Sequence, residues 1–101
     1  MAIDREHELT RFRFLQTLSE VRRVCPTEHY TLIEFTIEEA RQLFDCGEES
    51  IGLEILISNL HEVSFPVPVI LVAELRWLAE RLTIGPGYAG ALEQLLQSTR
   101  G

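Results

Sequence analysis

The sequence predicts an all-α fold, a compact bundle of about five short antiparallel helices forming one domain over residues 1–101. Three observations carry that expectation. Apolar residues recur at spacings of three and four along most of the chain, the period of one helix face. Stop signals at Pro26, Gly47, Pro66, Pro68 and Gly85 cut it into pieces of helical length. The connections between those pieces are short, which sets neighbouring helices antiparallel.

The first helix is expected over about 4–24. Phe14, Leu18, Val21 and Cys25 follow at four, three and four, with Leu15 beside them, and Pro26 closes it because the residue before a proline is driven out of the helical region. Residues 27–35, "TEHYTLIEF", are read as a short helix or an irregular linker. A second helix is expected from Thr36, which forms a capping box with Glu39. It buries Ile37, Ala40 and Phe44 and stops at Gly47. A third helix, about 48–63, buries Leu53, Leu56, Ile57 and Leu60, and Gly52 is its weak point. Glu54, Ser58, His61 and Glu62 form a second stripe on it, expected to face away from the core. "SFPVP" turns the chain, and Pro68 suits the first turn of a fourth helix. That helix turns Leu71, Leu75, Leu78 and Leu82 inward and stops at Gly85. A last short helix, about 88–98, buries Ala91, Leu92, Leu95 and Leu96, and Asn59 is expected to satisfy backbone groups at a helix crossing.

Charge is distributed unevenly. The formal net charge is −7, with nine arginines and no lysine. Residues 28–74 hold ten acids against one base, Arg41, a local charge of −9; the remainder, with eight arginines and six acids, is +2. Such a chain repels a nucleic-acid backbone, whose recognition rests on basic side chains, and attracts a basic surface. Arg22–Arg23 reads as a solvated helix end. The apolar run "FPVPVILVAEL" is too short and too interrupted to span a bilayer, and "MAIDREHELTRF" lacks the apolar core of a signal peptide, so a cytoplasmic location without membrane contact is expected.

Residue patterns that signal chemistry have bland explanations here. "GPGYAG", residues 85–90, fits G-x-G-x-x-G but follows a helix instead of a strand, so a helix-to-helix turn accounts for it. His7, His29 and His61 lie far apart and form no metal-ligand spacing. Glu38–Glu39 and Glu48–Glu49 sit at helix starts, which favour the ionised form, whereas a general acid needs a raised pKa. Cys25 and Cys46 read as structural thiols and Trp77 as a packing residue. No enzymatic activity, metal or cofactor is expected.

"CGEESIGLEILISNLHEVSFPVPVILVAELRWLAERL" resembles the MafI-type and CdiI-type immunity proteins of bacterial contact-dependent growth inhibition and polymorphic toxin systems. The pattern is Gly47-Glu48, Leu53-Glu54, Leu56, Asn59-Leu60, Glu62 and the prolines at 66 and 68, followed by an amphipathic helix; it covers about residues 37–84. The resemblance implies a cytoplasmic protein that binds and neutralises one cognate toxin domain, often a basic C-terminal nuclease. Glu38, Glu48, Glu49, Glu54, Ser58, His61 and Glu62 are the candidate partner-binding residues, although each also fits a solvated face. The alternative function is a helical adaptor or secretion chaperone that holds an amphipathic segment in an exposed apolar groove.

Overall fold

The computed structural model describes residues 5–63 and 67–100, with the side chains of 96–100 outside that description. It holds five α-helices: α1 (Arg5–Val24), α2 (Tyr30–Asp45), α3 (Glu49–Glu62), α4 (Val69–Leu82) and α5 (Pro86–Arg100), with one 3-10 turn, Thr27–His29, before α2. No strand occurs among the described residues. The all-α bundle is as expected, and its Cα radius of gyration of 13.1 Å is that of a compact chain of about 100 residues.

Contacts fix the helix directions. α1 and α2 are antiparallel: Phe14 meets Phe44 with ring centres 4.5 Å apart, Arg11 pairs with Asp45, and Arg22 pairs with Glu34. α2 and α3 form an antiparallel hairpin. α4 returns along α1, with Arg13 on Glu74 and Arg81 near Glu6, and α5 folds back on α4 through Arg76 and Glu93. α3 and α5, which are not consecutive, run parallel: Glu54 meets Gly85 and His61 meets Gln94.

The core draws on every helix. Phe14, Ile33, Leu53, Leu56, Ile57, Leu60, Leu75, Leu78 and Leu95 are almost fully buried, and each such side chain contributes about 1.5–3 kcal/mol on leaving water. Trp77 packs half-buried on this core and is stacked by the guanidiniums of Arg13 and Arg81, at 3.7 and 4.0 Å from its ring centre. Val67 and Leu71 complete the core near the start of α4.

Several local expectations need correction. Residues 27–35 are neither a separate short helix nor a linker: after the 3-10 turn, α2 starts at Tyr30 and runs unbroken through Thr36. Thr36 is therefore no helix cap. It is fully buried, and its hydroxyl donates to the Leu32 carbonyl at 2.8 Å, the mid-helix alternative open to threonine. Thr10 and Thr17 do the same in α1.

Gly47 ends α2 as expected. It has φ +83°, its amide donates to Phe44 at 3.2 Å, and the Glu48 amide donates to Leu43 at 2.8 Å, the paired bonds of a Schellman turn. Helix α4, by contrast, ends at Thr83, which takes the left-handed conformation at φ 54°; Gly85 lies two residues beyond. Pro86 opens α5, where its missing amide costs nothing, so most of "GPGYAG" is helix and only Gly85 belongs to the link. The expected packing of Leu96, the start of the first helix at Asp4 and the turn at Ser64–Pro66 lie outside the described residues.

Gly52 is not a weak point. A Cβ there would lie 2.9 Å from the Ala40 carbonyl oxygen, so the missing side chain lets α2 and α3 approach closely. Alongside, Asn59 donates to the Thr36 hydroxyl at 2.8 Å. Asn59 thus serves a helix crossing, but through a side chain where backbone groups were expected.

Candidate functional site

The seven candidate residues belong to α2, α3 and the turn between them, and the structure divides them by what they touch. Glu54 is half-buried, and its Oε2 accepts the Gly85 amide at 3.0 Å. Nearby, Ser50 donates to the Leu82 carbonyl. Together they dock the α4–α5 link onto α3. His61 donates from Nε2 to Gln94 Oε1 on α5. The stripe expected to face away from the core does so at Ser58, His61 and Glu62, which are exposed, with His61 bonded across to α5; Glu54 instead turns in to the α4–α5 link.

Glu49, the first residue of α3, is half-buried and lies 3.9 Å from His7 of α1. Glu48 precedes it, exposed and without a side-chain capping bond. Glu38 is exposed on α2, paired with Arg41 and approached by Gln42 at 3.4 Å. The hydrogen bond from Arg41 holds the Glu38 carboxyl below the usual carboxylate range.

The acids of residues 28–74 do not form one uniform negative wall. Arg22 reaches Glu34, Arg11 and Arg41 reach Asp45, and Arg13 takes Glu74 in a two-pronged contact. Arg22–Arg23 is accordingly more than a solvated end. The guanidinium of Arg22 is held above its ordinary pKa by the Glu34 hydrogen bond, and Arg23 pairs with Glu20. Sequence position hid most of this compensation, because Arg11, Arg13 and Arg22 come from α1, outside the acidic segment. Among the described residues of the 28–74 segment, the carboxylates of Glu39, Glu48 and Glu62 have neither an ion pair nor a hydrogen bond, and all three lie on α2, α3 or their connection; among those outside it, Glu8 of α1 and Glu80 of α4 are also without an ion pair.

Exposed apolar residues, which the sequence did not single out, lie on α1 (Leu9 and Phe12) and α4 (Val69 and Ile70) as well as on these two helices. Phe35 is 65% exposed, Ile51 44% and Leu32 39%. Dividing residues 27–45 at Thr36 hid Phe35. Once Tyr30–Asp45 is one helix, Phe35 falls opposite the buried Ile33 and Ile37 by spacing alone.

A separate cleft of 520 Å³ lies between α1 and α4, lined by Arg13, Gln16, Glu20, Arg23, Pro68 and Ile70 among others. Both of its arginines are already paired with glutamates. Cys25 is half-buried, and burial first, then Glu34, pushes its thiol up, while Cys46 is exposed. Among the described residues no group of three or more histidine, cysteine or acidic side chains could hold a metal ion, and no helix is long and apolar enough to cross a membrane.

Comparison with family models, curated proteins and solved structures found no match for this chain.

Proposed function

We propose that this chain is a non-catalytic binding protein that docks onto a basic protein surface. Following the resemblance of residues 37–84, we take that partner to be a cognate toxin domain, a nuclease, neutralised in the cytoplasm. One observation carries the binding role: the outward side of α2 and α3 keeps carboxylates that no arginine compensates, whereas most acids facing α1 are paired. An anionic surface of this kind speeds encounter with a cationic partner and selects it. Covering the nucleic-acid cleft of a basic nuclease would exclude its polyanionic substrate. The contribution of this chain is then binding alone, with Glu48, Ser58 and Glu62 at the contact, Glu38 and Glu49 at its margin, and Glu54 and His61 holding α3 in place behind it.

Co-expression with a toxin domain encoded beside the gene for this chain tests the proposal. Cells are expected to survive with the chain and die without it; equal killing in both overturns the toxin assignment. In purified form, Glu48→Arg combined with Glu62→Arg should slow association with that domain at least tenfold at low ionic strength and leave the helical signal unchanged.

The cleft between α1 and α4 favours a second reading, an adaptor that holds an amphipathic segment. Ile70, 80% exposed at its edge, would supply the apolar contact. Such binding would depend weakly on salt and would be abolished by Ile70→Asp.

A further inference from the structure

Two lines of side chains emerge together on the outer face of the α2–α3 hairpin. Leu32, Phe35, Glu39 and Gln42 follow at three, four and three along α2, opposite the buried Ile33, Ile37 and Phe44. Ile51, Ile55, Ser58 and Glu62 follow at four, three and four along α3, opposite Leu53, Leu56 and Leu60. The seam fixes the rotation of both helices, because Gly52 lies against Ala40 and Asn59 is bonded to Thr36. α1 takes the flank of α2 that carries Glu34 and Asp45; α5 takes the flank of α3 that carries Glu54 and His61. Both lines therefore point the same way, clear of the other helices.

This face alternates apolar and anionic groups: Leu32 and Phe35 lie level with Glu62 and Ser58 at one end, Ile51 with Gln42 at the other, and Glu39 with Ile55 between them. Phe35, Ile51 and Leu32 are exposed, Ile55 is half-exposed, and no base stands on either line. Glu39 and Glu62 have no ion pair among the described residues. Glu62 is also the last residue of α3, where a negative charge meets the negative end of the helix dipole at a cost of about 0.3–1 kcal/mol. The fold alone gives no reason for a carboxylate there.

We propose that this α2–α3 face is the docking surface, with Phe35 and Ile51 as its anchors and Glu39 and Glu62 as the charges that choose the partner. The occupant is a protein surface, such as an amphipathic helix, that presents apolar side chains interleaved with arginine or lysine. The assignment rests on the binding role proposed above, keeps Glu62 at the contact and adds Phe35, Ile51 and Glu39, which that role did not include. Charge decides among occupants. A second copy of the chain would set Glu39 and Glu62 against carboxylates with no base to meet them, and like charges in a closing contact are costly. At about 1.5 Å per residue, two helices of 14–16 residues offer a face about 20 Å long, suited to the roughly 800 Å² that each partner contributes to an ordinary interface.

A partner-independent probe tests this: a sixteen-residue helical peptide with a leucine stripe flanked by arginines, titrated into the isotope-labelled chain and followed by NMR. Amide shifts are expected to cluster at residues 32–42 and 51–62. Phe35→Ala with Ile51→Ala should weaken the peptide at least tenfold without changing the fold, both sites being exposed. Glu39→Gln with Glu62→Gln should weaken it and flatten its salt dependence. Shifts centred on Gln16 and Ile70, or no binding at millimolar peptide, overturn the proposal. Concentration-dependent shifts of the chain alone, mapping to the same face, would assign it to self-association and overturn the basic partner. The toxin assignment fails separately, through equal killing in co-expression, and that result leaves the peptide outcomes to decide the face.

Discussion

Two helix seams in this molecule are closed by different means. Along α1–α4 the closure is charged and stacked: Arg13 bridges to Glu74 and, with Arg81, lies over Trp77. Along α2–α3 the closure is steric and short: a glycine lets the backbones approach, and one buried Asn–Thr hydrogen bond holds the register. The first seam consumes its long charged side chains and leaves a cleft beside them. The second needs no charged side chain, so carboxylates such as Glu39 and Glu62 stay free to face outward. How two helices are joined thus decides which long charged side chains the seam consumes.

That contrast can be broken at each seam. Gly52→Leu should be the most damaging change, because the new side chain meets the Ala40 carbonyl, a backbone group that can move only with its helix. Overpacking of this kind costs about 1–3 kcal/mol, enough to override the helix-propensity gain of roughly 1 kcal/mol from removing a glycine. A denaturation midpoint equal to or above that of the unsubstituted chain would show that the seam is not tight.

A smaller loss, about 1 kcal/mol, is expected from Asn59→Leu, which removes one buried bond but leaves the Thr36 hydroxyl its Leu32 carbonyl. A double-mutant cycle with Thr36→Val isolates that coupling; strict additivity would mean the pair contributes nothing. Smallest of all, Glu74→Gln at the charged seam should cost about 0.5 kcal/mol, the range of partly exposed ion pairs. That difference should fade in 1 M salt, where screening acts within about 3 Å. An effect untouched by salt would place the strength of this seam in the Trp77 stack instead.

The expected helices were found where the apolar spacing was strong. Phe14, Leu18 and Val21, then Leu53, Leu56, Ile57 and Leu60, then Leu71, Leu75 and Leu78 all point inward as their periods predict. Errors gathered at residues with two plausible local roles. Thr36 looked like a cap because its hydroxyl and Glu39 have capping spacing, yet neighbours on α3 bury it. Gly85 looked like a stop, yet Thr83 takes the left-handed turn and Gly85 offers its amide to Glu54. In both cases a contact with a residue distant in sequence overrode the local preference.

The candidate site was legible to a lesser degree. The excess of acid in the middle of the chain is a property of the sequence, as is the stripe of polar groups along α3. What each carboxylate does is not, because Coulomb partners are chosen by distance in space. Arg11, Arg13 and Arg22 lie outside the acidic segment but reach into it once α1 packs against α2 and α4.

By itself, then, the sequence determined that this chain is helical, where most of its helices turn, and which leucines and phenylalanines form its core, since these follow from backbone preference and a 3.6-residue period. Only the tertiary structure decided which glutamates are compensated, that Gly52 is a point of close approach, and that Phe35 and Ile51 share one outer face of the α2–α3 hairpin. Those features depend on which surfaces meet, and that is set by packing between segments that no local pattern records.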